Sequence, residues 1–182
     1  MPLAASMATS TSSDMKFGKF LISSSHIFYR TKQSAAFVNL RPIVPGHVLI
    51  MPERIVSTMQ ELSEDEYVDM WKSVRVVQRV LKTQYPDTTA FNVAVQDGRA
   101  AGQSVPHVHV HVLPRKGGDF ERNDDVYEEL DEWAPRDELR DSKMKGSIDV
   151  PDDADRVDRT SEMMANEAAS YRKAFEEGAS KL

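Results

Sequence analysis

The chain has 182 residues and no cysteine, so it is long enough for one domain with a hydrophobic core, and disulfides and thiolate metal sites are excluded. Its net charge of −6 is unevenly spread, with +4 over residues 1–118 and −10 over residues 119–182. The mildly basic part suits a small anionic ligand, and because its cations form no clustered stripe we expect no nucleic-acid partner. No apolar run approaches the ~20 residues of a transmembrane helix, so we expect no membrane partner either.

Residues 1–15 predict a disordered leader. They are small and hydroxyl-rich, without the basic start and apolar block of a secretory signal or the arginines of an organelle transit peptide. We therefore expect a cytoplasmic or nuclear protein, while the Ser/Thr content of the leader leaves organelle import open.

Between residues 16 and 130 the sequence predicts one α+β domain. Ser63 opens a capping box, apolar residues follow at spacings of three or four through Leu81, and Pro86 ends this helical pattern. Runs of apolar and β-branched residues predict strands on both sides of the helix, at 16–22, 26–29, 35–40, 47–51, 89–96 and 107–112. We expect an antiparallel sheet of about five strands with the long helix packed on it.

Acidic side chains dominate beyond residue 119, where the periodicity is weak. Residues 131–160 predict an acidic, poorly ordered segment. Apolar side chains then recur on one face over 161–177, which predicts a C-terminal helix within 161–182. This helix would pack on the domain or on a second copy of the chain.

The row of histidines at 107–112 is the most informative stretch of the sequence. His107, His109 and His111 alternate with valines, and this period of two predicts a strand with the imidazoles on one face and the valines in the core. Three imidazoles in a row are poor core material, because each carries a donor and an acceptor that must be satisfied. The row therefore indicates a metal site, or a site for an anion and for proton or phosphoryl transfer.

The surroundings of the row favour a phosphate over a hard cation. About ten residues join the strand that ends at Gln96 to the strand of His107, so the two are expected to be antiparallel neighbours that share a polar face. Asn39 and His47 lie near another tight connection. Neutral donors are thus abundant and carboxylates few. A neutral imidazole is also a competent nucleophile at pH 7.

Six motifs carry a family resemblance. They are 44–49 (Val-Pro-Gly-His-Val-Leu), 96–98 (Gln-Asp-Gly), 101–105 (Ala-Gly-Gln-Ser-Val), 107–113 (His-Val-His-Val-His-Val-Leu), 112–116 (Val-Leu-Pro-Arg-Lys) and 123–130 (Asn-Asp-Asp-Val-Tyr-Glu-Glu-Leu). In them the chain resembles the histidine triad superfamily of nucleotide hydrolases and transferases, and its fragile histidine triad branch in particular. Members of this branch are dinucleoside polyphosphate hydrolases. The resemblance runs from about residue 16 to 130, and weakly over 161–177.

The resemblance implies catalytic roles for the histidines. His109 would be the nucleophile that forms a nucleotidyl-histidine intermediate, and His111 would donate to the α-phosphate. His107 and His47 would support them. Gln96 would contact the phosphate and the bridging oxygen.

The resemblance also implies substrate contacts outside the row. Asn39 would hold the ribose hydroxyls, and Gln103 and Ser104, on a mobile loop, would reach the phosphate or the leaving group. Pro106 departs from the polar residue that many relatives carry before the first histidine, and it would stiffen the entry to the strand without removing a catalytic group.

The implied function is a nucleotide hydrolase that cleaves the α-phosphate bond of dinucleoside polyphosphates, converting diadenosine triphosphate into AMP and ADP. Other adenylylated compounds, such as adenylyl sulfate or adenylyl amines, would also be substrates. A divalent cation, Mg or Mn, would act through the substrate's phosphates, with no metal held tightly by the protein, and the protein would be a homodimer. Two alternatives stay open: a metalloprotein with zinc or iron on the histidines, and a nucleotide-binding signalling module with slow turnover.

Overall fold

The computed structural model describes residues 13–131 and 158–179, and the statements below refer to these. Most of the predicted leader and of the predicted 131–160 segment lies outside the described residues. In chain order the elements are β1 (Met15–Phe17), β2 (Phe20–Ile22), β3 (Ile27–Arg30), β4 (Ser34–Val38), β5 (Val48–Pro52), α1 (Glu64–Gln84), β6 (Ala90–Ala94), β7 (Val110–Arg115), α2 (Asp125–Asp131) and α3 (Ser161–Ala179). Short 3-10 turns at 24–26, 59–61 and 99–101 connect some of them.

Five of these strands form one antiparallel sheet in the order β3-β4-β5-β7-β6, and β1 and β2 form a separate hairpin. The register pairs His111 of β7 with Leu49 of β5 on one side and with Ala94 of β6 on the other. The predicted fold class, an α+β domain with a five-stranded antiparallel sheet, is confirmed.

The long helix begins at the predicted capping box. The Ser63 hydroxyl accepts from the Glu66 backbone N–H at 3.3 Å, and the Glu66 carboxylate accepts from the Ser63 N–H at 2.8 Å. The hydrogen bond from Arg54 holds the pKa of Glu66 down to about 2. None of the helices within the described ranges is both long and apolar enough to span a bilayer.

The two faces of the sheet are covered differently. On one face α1 and α3 bury the alternate residues of the strands, among them Val110 and Val112. On the other face the β1–β2 hairpin packs through Phe17 and Phe20 onto the opposite set of alternate residues of β4 and β5, which are Ala35, Phe37, Leu49 and Met51. Because the valines of the histidine strand face the helices, its histidines face the hairpin.

Four details differ from the sequence-based predictions. The run over 16–22, predicted as a single strand, is divided by a turn into β1 and β2. The histidine strand begins at Val110 and not at His107, since the preceding backbone turns away to bond with Val56 at 2.7 Å from the Val108 N–H. Met15, assigned to the leader, is a buried residue of β1. Residues 125–131 form a helix in a stretch where weak periodicity predicted none.

Candidate active site

The three histidines of the row and His47 lie together on one face of the sheet, where the β1–β2 hairpin contacts His107 and His109 and where His111 contacts His47. All four side chains are buried, with at most 1% of each exposed. His111 belongs to β7, while His107 and His109 stand just before it, and His47 immediately precedes β5. The structure thus brings together the four histidines that the sequence predicted to act together.

His107 is fixed by backbone groups at both ring nitrogens. The Gly18 N–H donates to Nδ1 at 3.2 Å, so Nε2 carries the proton and donates to the Pro52 carbonyl at 3.0 Å. Gly18 lies in the turn of the β1–β2 hairpin, and a Cβ on it would lie 2.8 Å from Val105. His107 therefore joins the hairpin to the end of β5, and neither of its nitrogens is available to a metal without loss of a hydrogen bond.

His109 is held in the tautomer that a nucleophile needs. Its Nδ1–H donates to the His107 carbonyl at 2.7 Å, so the lone pair resides on Nε2. Burial lowers the pKa of His109 to about 4, so the ring is neutral at pH 7. Phe17 packs edge-on against the ring, with centroids 4.9 Å apart.

His111 is held in the opposite tautomer by a relay through His47. The Ile43 N–H donates to His47 Nδ1 at 3.2 Å, so the proton of His47 is on Nε2, which donates to His111 Nδ1 at 2.9 Å. His111 must then carry its own proton on Nε2. Burial, with the neighbouring His109 and His47, holds the pKa of His111 well below its usual value.

The row therefore presents two different atoms side by side. His109 offers a lone pair at Nε2 and His111 offers an N–H at Nε2, and the two ring centroids are 4.9 Å apart. Both rings are neutral, so the nucleophile is not lost to protonation at neutral pH. The arrangement can attack an electrophilic centre with one imidazole while the next donates a hydrogen bond to an oxygen on that centre.

Gln96 lies just beyond β6 and is 8% exposed. Its amide Nε2 donates to the Leu130 carbonyl of α2 at 3.2 Å, and its Oε1 has no hydrogen-bond partner among the described residues. Val126 and Leu130 of α2 pack against Leu113 of β7. Sequence reasoning missed this helix as an anchor for Gln96, although the i, i+4 spacing of its two buried residues is a signal for it.

Asn39 lies against His47, whereas the sequence placed these two residues only near the same tight connection. Its Nδ2 is 3.3 Å from each ring nitrogen of His47, and its Oδ1 accepts from the Arg41 N–H at 3.1 Å. The side chain is 1% exposed. Asn39 therefore joins the predicted site.

Gln103 and Ser104 lie on the loop between β6 and β7. Gln103 Nε2 donates to the Ser57 carbonyl at 2.7 Å, and the buried Ser104 Oγ has no hydrogen-bond partner in the part of the chain that the structure describes. The loop contains Gly98 at φ +96° and Gly102 at φ +85°, a backbone region that glycine tolerates best. In this structure Gln103 contacts the backbone near Ser57.

Cavity size alone does not locate this site. A groove of about 600 Å³ is lined by Tyr85, Arg115, Phe120 and neighbouring residues, and none of the predicted site residues lines it. Within residues 13–131 and 158–179, no group of three or more His, Asp or Glu side chains is arranged to hold a metal ion. The site is distinguished by the chemistry of its imidazoles.

Comparison with known proteins agrees with this geometry. The HIT domain family matches residues 22–118. The chain belongs to this family. A bifunctional bis(5'-adenosyl)-triphosphatase/adenylylsulfatase FHIT of Arabidopsis thaliana is 44% identical over 92% of this chain and 88% of its own length. An asymmetrical bis(5'-nucleosyl)-tetraphosphatase of Schizosaccharomyces pombe is 45% identical over 88% of this chain and 94% of its own length.

Solved structures of the HIT fold superpose on the chain. The C. elegans NitFhit protein is 34% identical with a TM-score of 0.69, and the match covers 92% of this chain and 31% of that one. The Plasmodium falciparum diadenosine triphosphate hydrolase, solved with cyclomarin A, is 26% identical with a TM-score of 0.68, over 90% of this chain and 85% of that one. The recognised family and its fragile histidine triad branch are thus confirmed.

Proposed function

We propose that the protein is a dinucleoside polyphosphate hydrolase that transfers an adenylyl group to His109 and then to water. The observation that carries the proposal is the pair of opposite tautomers, a lone pair on His109 Nε2 beside an N–H on His111 Nε2. The names of the relatives from A. thaliana and S. pombe, which are hydrolases of dinucleoside polyphosphates, support it.

The reaction proceeds in two displacements. His109 Nε2 attacks the α-phosphorus, a P–N bond forms, and the P–O bond to the leaving phosphate breaks. His111 Nε2–H donates to a non-bridging oxygen of the α-phosphate, and charge builds up on these oxygens in the transition state. Water then attacks the same phosphorus, the P–N bond breaks, and AMP leaves.

The other predicted residues would position this reaction. His47 keeps His111 in its donor tautomer, and His107 supplies the carbonyl that keeps His109 in its nucleophilic tautomer. Gln96 would turn its amide to the phosphate, and Asn39 would hold the ribose hydroxyls. Gln103 and Ser104 would reach the leaving group.

The leaving group is expected to vary. It departs before water attacks, so the second step is common to all adenylylated substrates. Diadenosine triphosphate would give AMP and ADP, and adenylyl sulfate and adenylyl amines would also react. A divalent cation, Mg or Mn, would bind through the substrate's phosphates.

The protein is also proposed to be a homodimer. β6 is the last strand of the sheet, and its outer edge is unpaired in the described structure. An open strand edge is a ready template for a second copy of the chain. Sedimentation equilibrium should give twice the chain mass, and a monomer at micromolar concentration would contradict this.

A substrate panel run in ¹⁸O-labelled water tests the function. Diadenosine triphosphate should give AMP that carries the label and ADP that does not, because water attacks the α-phosphorus of the adenylate retained on His109. Label in ADP would place the attack on the β-phosphorus and contradict the proposal. His26→Asn, at a histidine outside the row, is the matched control and should keep activity.

Turnover on the same panel and elemental analysis of the purified protein separate the alternatives. Turnover well below ~1 s⁻¹ on every adenylyl substrate would favour a signalling module. Metal near one equivalent per chain in the purified protein would favour a metalloprotein.

A further inference from the structure

The segment that leads into α3 holds the backbone of Asn39 and Leu40. The Arg159 N–H donates to the Leu40 carbonyl at 3.2 Å, and the Arg159 Nε donates to the Asn39 carbonyl at 3.0 Å. A second guanidinium nitrogen of Arg159 donates to the same carbonyl. Arg159 thus fixes the peptide unit from which the Asn39 side chain projects.

The Arg159 guanidinium is enclosed and paired. Its side chain is 14% exposed and forms an ion pair with Glu167 of α3, which is 15% exposed. Glu167 also accepts from the Tyr171 hydroxyl at 2.5 Å. Because that hydroxyl has given its only proton, the Tyr85 hydroxyl must donate to it across their 2.9 Å contact.

The network reaches the other end of the loop between β4 and β5. Gly46, next to His47, has φ +80°, and a Cβ on it would lie 2.5 Å from the Tyr85 ring. The loop over residues 39–47 is therefore bonded at the Asn39 carbonyl by Arg159 and packed at Gly46 against Tyr85. Arg159 and Tyr85 in turn contact Glu167 and Tyr171 of α3, about 120 residues from the loop in sequence.

We propose that Arg159 is a positioning residue that sets the Asn39 side chain for the ribose, so that the C-terminal helix determines selectivity for the ribose hydroxyls. This rests on the proposed function, in which Asn39 meets those hydroxyls. A buried ion pair gives little net stability by itself. The two hydrogen bonds from Arg159 to the Asn39 carbonyl instead limit the movement of Asn39 itself.

Arg159→Lys tests the proposal. Lysine keeps a positive charge beside Glu167 but lacks the planar fork that bonds Glu167 and the Asn39 carbonyl together. Wild-type kcat/KM should be higher for diadenosine triphosphate than for its 2'-deoxyribose analogue. In the variant, the value for the ribose substrate should fall about tenfold through KM while the value for the deoxy analogue stays near wild type.

Arg172→Lys is the matched control. Arg172 lies on α3 and donates to the Ile27 carbonyl at 2.6 Å, and in the described part of the chain no hydrogen bond joins it to Asn39. It should leave the ribose preference unchanged. Asn39→Ala should abolish the preference, and adding Arg159→Lys to it should produce no further change in the ratio.

Other outcomes overturn the inference. They are an equal fall for both substrates in Arg159→Lys, an unchanged preference in that variant, or a wild type with no ribose preference. If the wild type binds nucleotides without turnover, the proposed function fails alone, because the preference is then read from the Kd values of AMP and 2'-deoxy-AMP by calorimetry.

Discussion

Lowering the pH from 7.5 to 5 should destabilise the protein through His109. This histidine has a pKa of about 4 in the folded protein and an ordinary value near 6.5 when unfolded. Between pH 6.5 and 4 the unfolded chain therefore binds a proton at His109 that the folded chain does not bind. The contribution of His109 to the free energy of unfolding is fully present above pH 6.5 and falls as the pH drops towards 4. Linkage gives a loss of about 2 kcal/mol at pH 5 and about 3 kcal/mol in the limit.

Urea unfolding at pH 7.5, 6.5, 5.5 and 5.0 measures this loss. His109→Asn removes the titrating group while its amide can still donate to the His107 carbonyl, so the variant should lose about 2 kcal/mol less than wild type between pH 7.5 and 5. His26→Asn is the control and should keep most of the wild-type slope. The pKa of Glu66, at about 2, places its titration below this range.

Equal pH slopes in the wild type and in His109→Asn would refute the reasoning. So would a proton NMR titration in which the His109 ring titrates near pH 6.5. Either result would mean that the ring is open to water in the folded protein, and the neutral nucleophile would then be lost below neutral pH.

Three further predictions address the chemistry, the loop and the packing. His109→Ala should abolish turnover, measured by product chromatography, but leave nucleotide Kd largely intact, since the other donors of the site remain; equal loss of both would indicate another nucleophile. Limited proteolysis should cut near Arg99 in the free protein, and a non-hydrolysable dinucleotide should suppress the cut; absence of protection would remove this loop from the binding site. Gly46→Ala should lower the free energy of unfolding in urea by about 2–4 kcal/mol, because the added methyl group would clash with the Tyr85 ring. Gly98→Ala is the control, since Gly98 also has a positive φ but no neighbour near its Cβ, and it should lower that free energy by only about 1 kcal/mol. Equal losses would show that the Tyr85 ring moves aside.

The helix and the sheet faces follow from local sequence patterns. The capping box at Ser63 and the apolar stripe to Leu81 specify α1, because both act within one helix. The alternation of His and Val fixes which face holds the imidazoles, since the side chains of a strand alternate whatever its partners are. The connection of about ten residues after Gln96 also predicts that its strand is the antiparallel neighbour of the histidine strand, as β6 and β7 are.

The strand boundary depends on a distant residue. β7 pairs with β5 only from Val110 onward, and β5 ends at Pro52, which has no N–H to extend the ladder towards Val108. The alternating pattern of residues 107–112 does not indicate that the pairing with β5 stops at Val110. α2 likewise depends on its packing against Leu113, and the spacing of Val126 and Leu130 is its only local signal in an acidic stretch.

The tautomers cannot be predicted from the sequence of the row. They are set by the Gly18 and Ile43 N–H groups and by the Pro52 and His107 carbonyls, backbone groups that the identities of the histidines do not specify. The same holds for Arg159, whose partner is the backbone carbonyl of Asn39. Motifs therefore predicted that the four histidines meet, and only the fold assigns their protons.

The stereochemistry at phosphorus tests the central claim most directly. A diadenosine triphosphate analogue with a chiral α-thiophosphate is hydrolysed in ¹⁸O-labelled water, and the configuration of the product is determined. Each in-line displacement inverts phosphorus, so attack by His109 followed by attack of water predicts overall retention. Inversion would mean a single direct attack by water, with His109 acting as a base, and would contradict the account.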